Sequence, residues 1–428
     1  MNSPSPLPFG VIGLGRSGVA AVRFLNAHGQ TVLAWDTRKE PTLPVSGLPG
    51  VATLDGNPLP ATAFLGCQAI LLSPGVPRAM PELQPILQAG IPVINDVEWL
   101  HDHVRRLNPQ AMFIGITGSN GKSTVTTLIG EMLQQQGLAT AVGGNLGTPA
   151  LELFQPEHRA YVLELSSFQL ESIAAFRAEI SLFLNLTPDH LDRYPDLDAY
   201  GEAKRRIHEN ARPGDRVILN GDDPWLSRDR QACQARGLVV VPFSIQGPMP
   251  GGVYAHDGWL IDGRQDSPRP LLPLDRIRIR GAHNQANAAA AAAAALSAGV
   301  EAETVATVLA TFPGLPHRME HVRHLDGVDY CNDSKGTNVG ATLMSLQSFA
   351  PPDAQGGGVV LIAGGRDKKG DFTALAPVAA RVVTDAILMG EAANDLAAAL
   401  VNGPRLHRVQ EMTGAVRLAR SLAGPGQT

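Results

Sequence analysis

Thr117-Gly118-Ser119-Asn120-Gly121-Lys122-Ser123-Thr124 follows an apolar run at 112–116 and precedes a helix-forming stretch at 124–136 that Gly137 closes. The order is strand, glycine loop, helix. In such a loop the backbone N–H groups and the helix N-terminus cradle phosphate oxygens. A lysine reaches the terminal phosphates and a hydroxyl binds Mg²⁺. Lys122 and Ser123 stand at those two places, and Gly118, Ser119, Asn120, Gly121 and Thr124 complete the cradle. The common form of the loop carries glycine at position 116, where this chain has Ile116, but the ending Gly-Lys-Ser is intact. ATP is the ligand this pattern implies, and the strand-loop-helix order implies an α/β fold.

A second glycine loop lies upstream. Gly13-Leu14-Gly15-Arg16-Ser17-Gly18 follows a predicted strand at 9–12 and opens a predicted helix at 19–28 that Gly29 stops. Further strands are expected at 31–35 and at 69–72, the latter running into Ser73-Pro74-Gly75. Asp36 ends the second strand. This βαβ pattern makes a parallel sheet, and the loop fits the dinucleotide fingerprint. Three readings stay open on the residues alone: a nicotinamide cofactor, a nucleotide diphosphate that is never a nicotinamide, or a tight turn with no ligand.

Downstream of the ATP loop, apolar strands are expected at 161–165, 180–184 and 216–220, and an alanine-rich helix after Asn287. A third unit begins after Phe312-Pro313-Gly314-Leu315-Pro316, with buried parallel strands at 359–363 and 386–389. Three domains follow, at 1–100, 101–313 and 314–428, a number that suits 428 residues.

Several side chains could carry chemistry. Glu164 closes an apolar strand beside the ATP loop, as a Mg²⁺ ligand would; it could equally cap the next helix. Asp189-His190-Leu191-Asp192 concentrates ligand-type side chains at another strand's C-terminal edge, where open α/β sheets bind ligands, although a lone histidine is commonly structural. Lys204, on a predicted helix, reads most simply as a solvated charge, and Lys368 and Lys369 as part of a charged turn.

Composition narrows the classes. The net charge is −5 with no basic block, so nucleic acid is not an expected partner. Three cysteines, Cys67, Cys233 and Cys331, are far apart and form no CxxC, which fits a reducing cytoplasm rather than a disulfide framework. The first eight residues carry no basic side chain, so no signal peptide is expected, and the alanine run 288–295 is too short to span a membrane.

Taken together the segments resemble the Mur ligase family, and within it the branch that adds D-glutamate. They are 13–18 with Asp36-Thr37-Arg38, Gly143-Gly144-Asn145-Leu146-Gly147, 164–171, Pro188-Asp189-His190-Leu191-Asp192-Arg193-Tyr194-Pro195, His283-Asn284-Gln285-Ala286-Asn287, Leu315-Pro316-His317-Arg318-Met319-Glu320, and Asn332-Asp333-Ser334-Lys335-Gly336-Thr337-Asn338. They occur in family order between about residues 9 and 372. One such segment is weak; seven in order are strong. The ATP loop looks like the family's short P-loop, which accounts for Ile116.

The resemblance implies a Rossmann-like first domain that grips a uridine diphosphate through Leu14, Arg16, Ser17, Asp36, Thr37, Arg38 and Ser73. It implies a central ATPase domain with a mostly parallel sheet, and a Rossmann-like third domain that brings the amino acid. Lys122 and Ser123 would hold phosphates and a first Mg²⁺, with Glu164 as that metal's carboxylate. Lys204 matches a lysine the family carbamylates, which with His190 would hold a second Mg²⁺. Asn145 and Ser166 are implied near the muramoyl substrate, Asn287, Arg318 and Asp333 around adenine and ribose, Lys335 near the phosphates, and Thr337 and Lys368 around D-glutamate. The substrates so implied are UDP-N-acetylmuramoyl-L-alanine, D-glutamate and ATP, acted on by a monomer.

The sequence departs from the family at its end, Ala423-Gly424-Pro425-Gly426-Gln427-Thr428. The family continues through a strand, a loop and a final helix that supply a serine and a phenylalanine around D-glutamate, so an incomplete third domain is expected. The rivals are a folate-type or other Mur-type ligase using a different amino acid, a nicotinamide-dependent oxidoreductase, and a nucleotide-binding protein without catalysis.

Overall fold

The structure, a computed structural model, describes residues 7–38, 45, 47–145, 147–191, 193–349, 351–352, 357–366 and 371–428. Its first sheet is built from β1 (Phe9–Ile12), β2 (Val32–Asp36), β3 (Val51–Asp55), β4 (Ala69–Leu72) and β5 (Val93–Ile94), in the order β3-β2-β1-β4-β5. All pairings are parallel. Both β1 and β4 are buried along their whole length, as a parallel strand covered on both faces must be. The helices Arg16–Ala27 and Asp96–Leu107 each direct an apolar stripe at the sheet.

The central sheet has nine strands: β6 (Met112–Thr117), β7 (Thr140–Gly144), β8 (Ala160–Glu164), β9 (Ile180–Phe183), β10 (Arg216–Asn220), β11 (Val239–Ser244), β12 (Val253–His256), β13 (Trp259–Asp262) and β14 (Arg269–Pro273). The order is β14-β13-β12-β11-β10-β9-β6-β8-β7. Strands β6 to β12 pair in parallel, and β13 and β14 turn back antiparallel. The reversal is made at Asp257-Gly258, both with positive φ, the pair that suits a two-residue hairpin turn. A parallel strand carrying the glycine loop, β6, thus lies between β8 and β9, so everything at the C-terminal ends of those strands gathers around the loop.

The alanine-rich helix spans Ala282–Ser297 and begins earlier than expected, because Gly281 with φ +92° makes the break and the Asn284 and Asn287 side chains ride on the first turns. Ala288 through Ala295 have no exposed surface. They pack against the helix Lys122–Gln135 and the sheet in one core.

The last part comprises the hairpin β15 (Glu320–Leu325) and β16 (Val328–Asn332), and a parallel sheet of β17 (Val359–Gly364), β18 (Val383–Met389) and β19 (Arg405–Arg408) in that order. It has its own core around Val378, Val382, Ala386 and Leu388.

Candidate active site

The ATP-type loop turns on Gly118 (φ +150°) and Gly121 (φ +83°). Gly121 has a second constraint: a Cβ there would lie 2.2 Å from Asn287 Oδ1. The start of the alanine-rich helix therefore sits directly on the loop. Lys122 Nζ donates to the carbonyls of Gly118 at 2.8 Å and Ser119 at 2.9 Å. Lys204 Nζ, on the helix Leu197–Arg205, donates to the same Gly118 carbonyl at 2.9 Å.

Lys204 is 1% exposed, far from a solvated charge. Its Nζ stands 4.4 Å from the centre of the Tyr200 ring. Burial holds its pKa well below the ordinary lysine value, and the nearby Lys122 charge pushes the same way against Asp189 and Glu164. Burial also lowers Lys122, opposed by Glu164. Two lysines pressed together away from water shift Lys204 towards its neutral amine, the form that reacts with carbon dioxide.

Glu164 ends β8 beside the loop and is 3% exposed. Its Oε2 accepts from Ser123 Oγ at 2.7 Å and its Oε1 from Asn145 Nδ2 at 2.9 Å. Arg318 Nη2 donates to Ser123 Oγ at 2.9 Å. The next helix is capped by Ser166, whose hydroxyl and Gln169 form a reciprocal capping box, so the capping role open to Glu164 belongs to Ser166. Among the described residues no group of three or more His, Cys, Asp and Glu could hold a metal unaided. Mg²⁺ does not require one, since it commonly takes one or two carboxylates and completes its shell with phosphates and water; a buried hydroxyl–carboxylate pair suits it.

Other residues define the loop that sequence reasoning did not single out. Asn185 Oδ1 accepts from Asn120 N at 2.9 Å and its Nδ2 donates to Asn120 O at 3.1 Å. Ser119 Oγ donates to Thr187 O and accepts from Thr187 N, at 2.9 and 3.0 Å. Asn185 and Thr187 follow β9, so the β6–β9 pairing was the signal that could have found them. His190 lies a few residues on with φ +56°. Its ring packs against Phe168 at 4.9 Å and Tyr200 at 6.1 Å between centres, so His190 and Lys204 flank the same tyrosine. Thr124 is buried on the first turn of the loop's helix.

At the first glycine loop, Asp36 is the hub. Its carboxylate accepts from Leu14 N at 2.7 Å, from Arg38 N at 2.9 Å, and from Arg38 Nε and Nη2 at 2.8 and 2.9 Å. The Arg38 guanidinium brings its pKa down to about 2. Arg38 Nη2 also donates to Leu14 O at 2.9 Å. Thr37 and Arg38 are exposed at the strand's end. Gly18 allows the helix to press on the loop: a Cβ there would lie 1.8 Å from Gly13 O. Ser17 and Ser73 line a small recess together with Asp96. Arg16 reaches across and donates to Gly147 O in the central domain.

The third domain reaches the ATP loop through Arg318 and Asn338. Asp333 accepts from Met319 N at 3.0 Å and Ser345 Oγ at 2.6 Å, bracing the chain on either side. Lys335 and Thr337 are exposed on the segment between β16 and the helix Val339–Gln347. Lys368, and Lys369 beside it, lie outside the described residues. One cluster thus joins Lys122, Ser123, Asn145, Glu164, Lys204, Asn287 and Arg318; a second joins Leu14, Asp36 and Arg38.

Over residues 9–95 the chain matches the Mur ligase MurD-like N-terminal domain, over 116–295 the Mur ligase middle domain, and over 317–428 the Mur ligase glutamate ligase domain. The chain belongs to the Mur ligase family. Among the relatives of this Mur ligase, the UDP-N-acetylmuramoylalanine--D-glutamate ligase of Hahella chejuensis is 42% identical over 97% of this chain and 90% of that protein. The protein of the same name from Methylococcus capsulatus is 41% identical over 98% and 88%. Among solved structures, MurF from Acinetobacter baumannii superposes with a TM-score of 0.63 at 19% identity, covering 96% of this Mur ligase and 84% of that chain. The UDP-N-acetylmuramate-alanine ligase MurC from Thermotoga maritima does so with 0.61 at 18%, covering 99% and 94%. At such identities the two structures speak for the fold.

Proposed function

We propose that this chain is an ATP-dependent ligase that joins D-glutamate to UDP-N-acetylmuramoyl-L-alanine. The observation that carries the reading is the convergence of Lys122 and a buried Lys204 on the Gly118 carbonyl, beside the Ser123–Glu164 pair. A phosphate loop needs only the first lysine. A second one, desolvated and on a helix from elsewhere in the chain, suits a carbamate: the neutral amine adds carbon dioxide and loses a proton, becoming an oxygen ligand. Full-length relatives that carry this activity in their names support the substrate assignment.

In the proposed reaction the substrate carboxylate attacks the γ-phosphorus of ATP and ADP departs. Lys122 and the loop N–H groups stabilise the charge spread over the transferring group. The D-glutamate amine then attacks the acyl phosphate carbon, loses a proton, and the tetrahedral intermediate expels phosphate to leave the amide. Mg²⁺, held by Ser123 and Glu164 at one site and by His190 and carbamylated Lys204 at a second, would supply further charge neutralisation. Residues 1–100 would bind the uridine diphosphate, 101–313 ATP, and 314–428 the amino acid, with Asn145 and Ser166 facing the muramoyl group. Asn287, Arg318, Asp333 and Lys335 would serve the nucleotide, and Thr337 and Lys368 the D-glutamate. A cytoplasmic monomer is the expected form.

Phosphate release from Mg·ATP tests the reading. It should require both UDP-N-acetylmuramoyl-L-alanine and D-glutamate. Release supported equally by another amino acid would replace D-glutamate in the assignment, and no release with any acceptor would refute a ligase.

A further inference from the structure

Asn338 is where the third domain meets both halves of the ATP site. Its side chain has three hydrogen-bonding functions, one acceptor and two donor hydrogens. The oxygen accepts from Ala341 N at 2.7 Å, capping the helix Val339–Gln347. The nitrogen donates to Asp189 Oδ2 at 3.1 Å and to Asn120 Oδ1 at 3.3 Å. These acceptors lie on different strand-end loops: Asn120 in the phosphate loop after β6, Asp189 beside His190 after β9. The helix end is close-fitted as well, since a Cβ on Gly340 would lie 3.1 Å from Thr187 Oγ1 and 3.5 Å from Asn120 Nδ2. An aspartate in place of Asn338 would cap the helix as well as asparagine does, but it could not donate to either loop.

We propose that Asn338 is a positioning residue: a latch that registers the third domain on the two loops and so couples acyl-phosphate formation to attack by the amino acid. This rests on the ligase reading above. Amide formation needs the amine domain seated over a reactive acyl phosphate while water is kept out. A single amide that spans both loops and fixes the next helix holds that arrangement in one geometry. Without it, the acyl phosphate still forms on the central domain but meets water more often than amine, consuming ATP without product.

The test uses the full chain as N338D, D189N and the exchanged pair D189N/N338D. N338D keeps the helix cap but sets two carboxylates against each other where a hydrogen bond stood. We expect amide formation to fall at least about tenfold and the ratio of phosphate released to amide formed to rise above the wild-type ratio, with thermal unfolding unchanged. Hydrogen exchange on the substrate-free protein should rise at residues 118–121 and 185–191. In the exchanged pair the two side chains trade places, and the amide introduced by D189N can donate to the carboxylate introduced by N338D. Exchange at both loops, and the phosphate-to-amide ratio, should return towards wild type even if the rate stays low, because D189N alone removes a negative charge near Lys122. Unchanged exchange in N338D, an unchanged ratio, or a pair no better than N338D would each overturn the latch. Wild-type protein that makes no amide would sink the ligase reading instead, while the exchange comparison would still decide the latch.

Discussion

The two glycine loops of this protein are the same local structure with different proposed uses. Each follows a buried parallel strand and opens a helix, and each has a glycine where a Cβ would strike a fixed neighbour, Gly13 O at Gly18 and Asn287 Oδ1 at Gly121. They differ in what surrounds them. The first is braced by an exposed-edge ion pair, Asp36 with Arg38, and among the described residues no lysine lies in it. The second has two lysines on one of its carbonyls, a hydroxyl–carboxylate pair, and contacts from the third domain. In the proposed function the first loop holds a diphosphate, which calls for N–H groups and an arginine edge. A loop built to break a phosphoanhydride needs charge packed where water is scarce.

The largest effect should separate the loops outright. Lys122→Ala should lower kcat for phosphate release about 10³-fold with little change in the KM for the uridine-diphosphate substrate; near-normal turnover would refute the division of labour. Lys204→Ala should cost about 10²-fold in kcat, and wild-type activity should fall when dissolved carbon dioxide is stripped away and recover on adding bicarbonate. Indifference to bicarbonate would leave Lys204 as a plain lysine. The two glycines then sharpen the contrast. At Gly121 a positive φ adds backbone strain of about 1–3 kcal/mol, and at Gly18 a Cβ would strike Gly13 O. Gly121→Ala should raise the KM for ATP about tenfold or more, and Gly18→Ala should do the same for the uridine-diphosphate substrate, while crossed effects would mean the loops are not separate sites. The smallest effect is on stability. Asp36 has a folded pKa lowered to about 2, so its ion pair stabilises fully above about pH 4 and is lost as pH falls towards 2. Asp36→Asn should therefore cost about 1 kcal/mol at neutral pH and flatten the acid limb of a thermal-unfolding profile.

Much of the fold was legible because phosphate loops and parallel strands are written locally. Strands at 69–72 and 216–220 fall where the apolar runs lie, and the helix after the ATP loop follows from its glycine and its helix-forming residues. The antiparallel β13 and β14 were missed, although Asp257-Gly258 is a hairpin signal, because β13 is a run of only four residues and β14 carries Arg269, Pro270 and Pro273. At the site, Lys122, Ser123 and Glu164 could be read from the strand ends that carry them. Lys204 could not: a lysine on a helix looks solvated until the fold turns it beneath the loop. Asn185, Thr187 and Asn338 were equally silent, since polar residues in loops are ordinary and their meaning comes from β9 lying beside β6 and from the third domain's approach.

The alanine helix carries a consequence for how the protein can vary. Eight consecutive side chains with no exposed surface leave no outward face on which change would be harmless. Most single-nucleotide substitutions of an alanine codon bring in a larger, polar or charged side chain, and here each would push the helix away from Lys122–Gln135 and drag Asn287 off the loop. This segment should therefore be among the least forgiving in the gene to random mutation, although it contains no residue that does chemistry.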